Sequence, residues 1–298
     1  MSQTKHEIQA ILAAAGSEPR HRFGQNFMID QNLVRVVADA GEIQPDELVI
    51  EVGPGTGTLT EELLSRGARV VAVEIDRDLG SSLRERFTTE SRFELIEGDA
   101  LASKHELDRE LRARIAAEQR IRGSSDSSAR VKLVANLPYN IASPLIIELL
   151  IAGVDLLAFT VQSEVADRLR AKENDDAYGP LSVMAQLLSR VEVLRTLPPQ
   201  AFWPAPKIES ALVRMCRDDQ IRGADRAVGF GRFVHAIFSA RRKTLRKALD
   251  RAEISRQILS DLKIDPQLRP ENLSPKQFLA MFDLSQGVRA LAKPQAEG

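Results

Sequence analysis

Residues 47–64 read ELVIEVGPGTGTLTEELL. An apolar run of strand length enters a turn in which Gly53, Gly55 and Gly57 alternate with Pro54 and Thr56, and an amphipathic helical pattern follows. Glycines at that density allow positive φ and close approach of a ligand to the backbone, while the helix start supplies N–H groups with no intrahelical partner. Tight strand-to-helix turns also use glycine for purely structural reasons, so this turn alone does not fix a ligand. The alternation around it does indicate a fold. RVVAVE at 69–74, RFELIE at 92–97 and VKLVAN at 131–136 are further short apolar runs with helical patterns between them. Such a series predicts a parallel sheet with helices on both faces. VDLLAFTVQ (154–162), VEVLRTL (191–197) and IESALVRM (208–215) extend the set, and the short Pro-rich connection between the last two suits an antiparallel pair. The expectation is an α/β fold, a doubly wound sheet of about seven strands.

The chain of 298 residues is long enough for about two domains. Beyond residue 218 the strand pattern ends. Amphipathic segments around 229–250, 253–262 and 275–284 predict a small all-α C-terminal domain, so the expected division is 1–218 and 219–298. The net charge of −1 hides a difference between these parts: residues 1–218 carry −7 and residues 219–298 carry +6. A basic tail points to a polyanionic partner or to a solvated helical surface. Residues 103–130 look like a surface insertion. Lys104 to Arg122 is charged and helical, with Leu107, Leu111 and Ile115 on one face, and GSSDSS (123–128) has loop composition. A single cysteine, Cys216, excludes an internal disulfide, and four scattered histidines lack partners at ligand spacing, so no metal is expected. No apolar run reaches the roughly 18 residues of a membrane span, and the first twenty residues lack a signal-peptide layout. A cytoplasmic location with no membrane partner is expected.

Glu74 ends the second strand, 21 residues after Gly53, where a carboxylate can accept both ribose hydroxyls of a nucleoside. Asp99, in GDAL after the third strand, faces the same crevice beyond the carboxyl ends of the strands. Thr58 stands where a dinucleotide fingerprint carries its third glycine, which opposes an NAD-dependent oxidoreductase. The glycine turn, Glu74 and Asp99 together resemble the S-adenosylmethionine-dependent methyltransferases.

The fourth strand ends in NLPY, Asn136 to Tyr139. Adenine N6 is a poor nucleophile because its lone pair is delocalised, so a methylating site needs acceptors that favour the pyramidal amine. The Asn136 side-chain oxygen and a neighbouring backbone carbonyl are suited to accept the two N6 protons and to oppose the positive charge that builds on nitrogen. Pro138 fixes φ and removes a donor. Tyr139 offers a face on which an extruded base can stack. Alone, the four residues also read as a helix-capping turn with a core tyrosine. FWPAPKIES (202–210) supplies a second aromatic in a rigid loop: Phe202 is the stacking candidate and Trp203 scaffold or rim. Taken alone, each reads as core. RHRFGQNFMID (20–30) brings Arg20, His21, Arg22 and Asn26 ahead of a helical run, and FSARRKTLRKAL (238–249) places Arg241, Arg242, Lys243, Arg246 and Lys247 within two expected helical turns. The second cluster suits phosphate binding, or an exposed helix face.

RFGQNF, EVGPGTGTLT, the Glu74 strand end, GDAL, NLPYNIASPL, VQSEVADRL, YGPLSVMAQ, FWPAPKIESALVR, FSARRKTLRKAL and RPENLSPKQFLAMF occur in this order between residue 20 and about residue 283. Together they resemble the bacterial small-subunit ribosomal RNA adenine dimethyltransferases of the KsgA/RsmA type. The resemblance implies a Rossmann-like methyltransferase domain and a helical rRNA-binding domain. It implies N6,N6-dimethylation of two adjacent adenosines in the 3′-terminal hairpin of 16S rRNA, on an assembling small subunit; no obligate protein partner is evident in the sequence. By the same resemblance Asn26 and Met28 line the cofactor pocket, Gly53 contacts the methionine portion, and Glu74 holds the ribose. Asp99 holds the adenine amino group, Asn136 sits between cofactor and target, and Tyr139 and Phe202 grip the base. Met28 departs from the usual leucine, Ala135 from the glycine common before NLPY, and Pro180 from a basic residue. The large-subunit rRNA adenine methyltransferases of macrolide resistance are the nearest alternative, opposed by PENLSPKQF and ARRKTLRKAL. An assembly factor whose methylation is secondary is another.

Overall fold

The computed structural model describes residues 3–20, 23–124, 130–218, 220–221 and 223–291. A seven-stranded sheet organises the first part: β1 (Leu48–Val52), β2 (Arg69–Glu74), β3 (Phe93–Glu97), β4 (Val131–Asn136), β5 (Leu156–Gln162), β6 (Ser189–Leu197) and β7 (Ser210–Arg217). Their order across the sheet is β3-β2-β1-β4-β5-β7-β6. The strands from β3 to β5 run parallel, and β7 is antiparallel to β5. β1 is buried along its whole length, as a strand covered on both faces must be, which explains its apolar run, broken only by Glu51. The order reverses between β1 and β4, so the loops after these two strands diverge and open a crevice at the carboxyl ends.

The helices are α1 (Lys5–Ala14), α2 (Gln31–Ala40), α3 (Thr58–Ser65), α4 (Arg77–Arg86), α5 (Arg109–Ser124), α6 (Ala142–Ile151), α7 (Ser163–Arg170), α8 (Pro180–Leu188), α9 (Ala224–Phe238), α10 (Leu245–Arg251), α11 (Gln257–Asp261) and α12 (Pro275–Leu291). α1 opens with a reciprocal cap between Thr4 and Glu7 and buries Ile8 and Leu12 against Phe27 and Leu79. Among the described residues no helix is long and apolar enough to cross a membrane.

Of the expected insertion at 103–130, the described residues 103–124 do not lie wholly on the surface. A short hairpin, Leu101–Ser103 with Glu106–Leu107, leads into α5, and α5 leads into β4. The stretch is therefore the crossover between two parallel strands, which the sheet order requires. Leu107, Leu111 and Ile115 are buried as their spacing predicts, and Glu118 pairs with Arg69 at 2.5 Å. α5 runs on into the GSSDSS stretch as far as Ser124; its residues 125–128 lie outside the described residues, as do His21 and Arg22.

The chain divides into two compact units, residues 1–166 with 191–217, and residues 167–190 with 218–298. The expected boundary at 218 left 167–190 with the sheet. The structure puts them with the helical unit, where Tyr178 is fully buried, stands edge-on to Phe238 at 6.2 Å and donates to the Leu273 carbonyl at 2.7 Å. Phe230, Phe278 and Phe282 complete that aromatic core, with Phe238 and Phe278 stacked at 5.3 Å.

Candidate active site

Gly53, Gly55 and Gly57 all have positive φ, at +71°, +61° and +80°. At Gly55 a Cβ would meet the Phe27 ring at 2.9 Å, and at Gly53 it would meet the Pro138 ring at 3.2 Å. The bare backbone thus lets two other walls close on the turn, and α3 begins directly after it. The cleft so formed holds about 890 Å³, including its mouth.

Five segments line this cleft. From the turn come Gly53 to Thr56; from the ends of β2 and β3 come Glu74, Ile75 and Asp99; from the end of β4, Asn136, Pro138 and Asn140; and from the N-terminal segment, Phe23 to Met28. Asn26, Met28, Gly53, Glu74, Asp99 and Asn136 are therefore brought together. Glu74 is only 4% exposed. Its two oxygens accept from Gly55 N at 3.1 Å and Asp76 N at 2.9 Å. Burial outweighs those bonds and pushes its pKa up to about 7. Asp99 is exposed, and one of its oxygens accepts from Leu101 N at 2.9 Å.

Asn136 is half-buried. Its amide nitrogen donates to the Asn26 carbonyl at 2.6 Å, and its oxygen accepts from the Thr160 hydroxyl. Asn26 in turn donates to Gly24 O at 3.1 Å. Met28 is buried and pairs with Phe202 across a two-residue antiparallel ribbon, in which Phe27 faces Trp203. A ribbon that short leaves no periodic signal in the sequence.

Phe202 is a correction. It is 1% exposed and packs in the sheet core with Leu33, Val37 and Leu212, next to Met28 but not itself among the cleft-lining residues, so it offers no face to a base in this conformation. The ribbon accounts for this, because alternate residues point to opposite faces and Trp203 takes the outer one. Trp203 stacks on Phe27 at 6.4 Å with the Lys5 ammonium 5.9 Å from its ring centre. Tyr139 is half-buried beside the cleft, and its hydroxyl is 2.8 Å from the Ser210 hydroxyl.

Sequence reasoning passed over three groups. Glu51, 2% exposed at the end of β1, accepts from Thr60 at 2.6 Å and lines the cleft, and burial raises its pKa to about 8. An acid inside a strand buried on both faces was the available signal. Thr160, on β5, has no such signal, since threonine is an ordinary strand residue. Gln3 is buried against the glycine turn, donating to Thr56 O at 2.9 Å and accepting from Thr58 at 2.9 Å.

In the helical unit the basic cluster does not lie within two turns of one helix. α9 ends at Phe238, residues 239–243 form turns, and α10 begins at Leu245 after Thr244. The break occurs because Leu245 N and Arg246 N bond to the carbonyls of Leu268 and Pro266 in place of a preceding helical turn. Arg242, Lys243, Arg246 and Lys247 are exposed. Arg241 is half-buried, donating to Asp176 O at 2.8 Å with Glu271 3.7 Å away.

A largely parallel sheet with a reversed strand beside its edge, opening at its reversal point onto a buried carboxylate and a strand-end amide, is a Rossmann-like fold, and the family match makes the class a Rossmann-like methyltransferase. Within that class, the chain belongs to the ribosomal RNA adenine dimethylase family, whose profile matches residues 16–286. It is 41% identical over 271 residues to the ribosomal RNA small subunit methyltransferase A of Hahella chejuensis, covering 90% of this chain and 93% of that one. Two solved structures share the fold. A dimethyladenosine transferase from Plasmodium falciparum has a TM-score of 0.66 at 22% identity, over 87% of this chain and 98% of the other. The 23S rRNA methyltransferase ErmE has a TM-score of 0.59 at 24% identity, over 88% and 100%.

Proposed function

We propose that this rRNA adenine dimethyltransferase transfers methyl groups from S-adenosylmethionine to N6 of two adjacent adenosines in the 3′-terminal hairpin of 16S rRNA, on an assembling small subunit in the cytoplasm. The observation that carries the reading is Asn136, whose amide lines the same cleft as Gly53, Glu74 and Asp99. The small-subunit assignment is supported by the 41% relative and by the tail motifs.

The cleft suits a nucleoside-bearing donor. Each Glu74 oxygen has one backbone N–H partner and keeps lone-pair capacity for a ribose hydroxyl. Asp99 has an oxygen left to accept from an adenine amino group. The bare Gly53 backbone keeps the passage toward Pro138 open. When bound, the donor supplies a methyl carbon activated by a sulfonium.

The chain's own residues do the rest. The Asn136 oxygen accepts a hydrogen bond from an N6–H and opposes the charge that develops on nitrogen, a role that depends on its being held in place beforehand. The Tyr139 ring stacks on the extruded base, worth about 1–3 kcal/mol. No side chain is assigned to take the N6 proton, because a methylated ammonium of this kind is itself acidic. Exposed Arg242, Lys243, Arg246 and Lys247 meet rRNA phosphates.

Incubation with labelled S-adenosylmethionine and unmethylated small subunits, followed by mapping of the modified nucleosides, tests the substrate. Asn136→Ala abolishes turnover and leaves donor affinity intact. Label at another nucleoside, or an Asn136→Ala enzyme within a few-fold of the parent, defeats the reading.

A further inference from the structure

The two hydrogen bonds to Asn136 fix which of its atoms faces which neighbour. The Asn26 carbonyl can only accept, so the Asn136 atom 2.6 Å from it is the amide nitrogen. The other end of the amide is then the oxygen, and the hydroxyl of Thr160 beside it must be the donor. Asn136 and Thr160 sit opposite each other in the register of β4 and β5, and Thr160 is fully buried. The Thr160 backbone carbonyl also accepts from Leu137 N at 3.3 Å. One residue thus holds both the side chain that ends β4 and the backbone that turns out of it.

We propose that Thr160 is a positioning residue for methyl transfer: its hydroxyl holds the Asn136 amide in the one plane that leaves a carbonyl lone pair free for the substrate amine. The proposal rests on the role given to Asn136 above. The torsion that turns an asparagine amide is broad and roughly two-fold, so the covalent geometry does not hold the oxygen in place. The bond to Asn26 alone leaves the oxygen end free to swing about its single anchor. The Thr160 bond removes that freedom and uses one of the two lone pairs of the oxygen. A hydroxyl donating to an amide oxygen also polarises the amide and strengthens donation from its nitrogen. Thr160 therefore tightens the Asn136–Asn26 bond. A donor on that oxygen lowers its strength as an acceptor, so the benefit must come from orientation. That separates this role from one of raising basicity.

Thr160→Val removes the hydroxyl and keeps the shape, while Thr160→Ser keeps the hydroxyl. With unmethylated small subunits and S-adenosylmethionine, Thr160→Val is expected to lower kcat by about 10- to 100-fold, the loss typical of a misplaced catalytic group, with KM and donor Kd within about twofold of the parent. Thr160→Ser is expected to restore most of kcat. In crystals of the two variants, the Asn136 amide is turned out of its plane in Thr160→Val and retained in Thr160→Ser. A fast Thr160→Val enzyme, a Thr160→Ser enzyme as slow as Thr160→Val, or an unmoved amide in Thr160→Val overturns the proposal. If Thr160→Val does not fold, Thr160→Ala takes its place under the same criteria. Asn136→Ala is run in parallel: if it is active, the role of Asn136 itself is wrong. If it is inactive while Thr160→Val is normal, only the role of Thr160 falls.

Discussion

Arg20 donates to the buried carboxylate of Asp76 at 2.8 Å, and Asp76 is the residue whose backbone N–H holds Glu74 at 2.9 Å. Gln25 reaches the other Asp76 oxygen at 3.1 Å and accepts from Arg20 N at 2.8 Å. The segment that carries Asn26 and Met28 is thereby pinned to the opposite wall of the cleft. The Asp76 side chain is fully buried, so removing Arg20 leaves a charge with one partner fewer out of reach of water. Arg20→Ala also loses the bond to Asp78 at the surface, and through the bond to buried Asp76 it should weaken donor binding roughly tenfold. The rate at saturating donor should stay near that of the parent. Calorimetric titration with the donor checks this, and an unchanged Kd would remove any part for Arg20 in closing the cleft.

Glu74 should make donor binding depend on pH. Burial raises its pKa to about 7, and two ribose hydroxyls donate best to the ionised form. Affinity should climb as pH rises from 6 to 8 and level off above that range, with proton release on binding below pH 7. Glu74→Gln should bind more weakly at pH 8 and show a flat profile. A parent profile without slope over this range would count against the carboxylate as the ribose ligand.

Glu51 should reduce stability as pH rises. Burial puts its pKa at about 8, against roughly 4.3 in an unfolded chain. Between those values the folded state keeps a proton that the unfolded state has released, so stability falls with pH through that window and the loss is complete above pH 8. Glutamine mimics the protonated acid and can still accept from Thr60. Glu51→Gln should therefore raise Tm more at pH 8 than at pH 5, and thermal melts at the two pH values decide it. Equal shifts at both would mean that Glu51 folds already ionised.

The sheet was legible because strands covered on both faces are mostly apolar. Leu48–Val52, Arg69–Glu74, Val131–Asn136 and Leu156–Gln162 announced themselves in this way without structural information, while the partly buried edge strand Phe93–Glu97 was legible from its place in the alternation with helices. The cleft residues at strand ends, Gly53, Glu74, Asp99 and Asn136, were legible for a related reason: loops at a sheet reversal have nowhere else to converge. What the sequence hid depended on contacts far apart in the chain. Phe202 and Trp203 differ in role only because one two-residue ribbon turns the first inward, and that ribbon exists only when residues 27–28 arrive from the N-terminal end. The crossover α5 read as an insertion because its charged surface resembles a solvated helix. The break before α10 depends on the carbonyls of residues 266 and 268.

The tail cluster should declare itself through salt. Arg242, Lys243, Arg246 and Lys247 are exposed, and each phosphate neutralised adds about 0.7 to 0.9 to the slope of log affinity against log salt. Replacing all four with alanine should flatten that slope by roughly 3 for small-subunit rRNA. Donor affinity should be unchanged, since the cleft is lined by the other unit. Filter binding across a salt series measures the slope. An unaltered slope would leave these residues as a solvated surface. Arg241→Ala should instead lower Tm, because Arg241 ties the 176 and 271 segments within the helical unit.

Phe202 and Tyr139 should separate cleanly when each is replaced in turn. Phe202 fills the core between α2 and the sheet, so Phe202→Ala should destabilise the fold by about 3–5 kcal/mol, the cost of deleting a buried ring. Phe202→Leu keeps most of the volume and should cost less than about 1.5 kcal/mol. A core role requires the leucine variant to methylate at nearly the parental rate, whereas a stacking role requires it to fail with Tm unchanged. Tyr139→Ala should show the opposite pattern, with a modest change in Tm and a large loss of methylation. Tyr139→Phe keeps the ring and loses only the hydroxyl contact to Ser210, so it should retain most of the activity. If Phe202→Leu proves stable and inactive, the ribbon of residues 27–28 and 202–203 must open during turnover and bring Phe202 to the base.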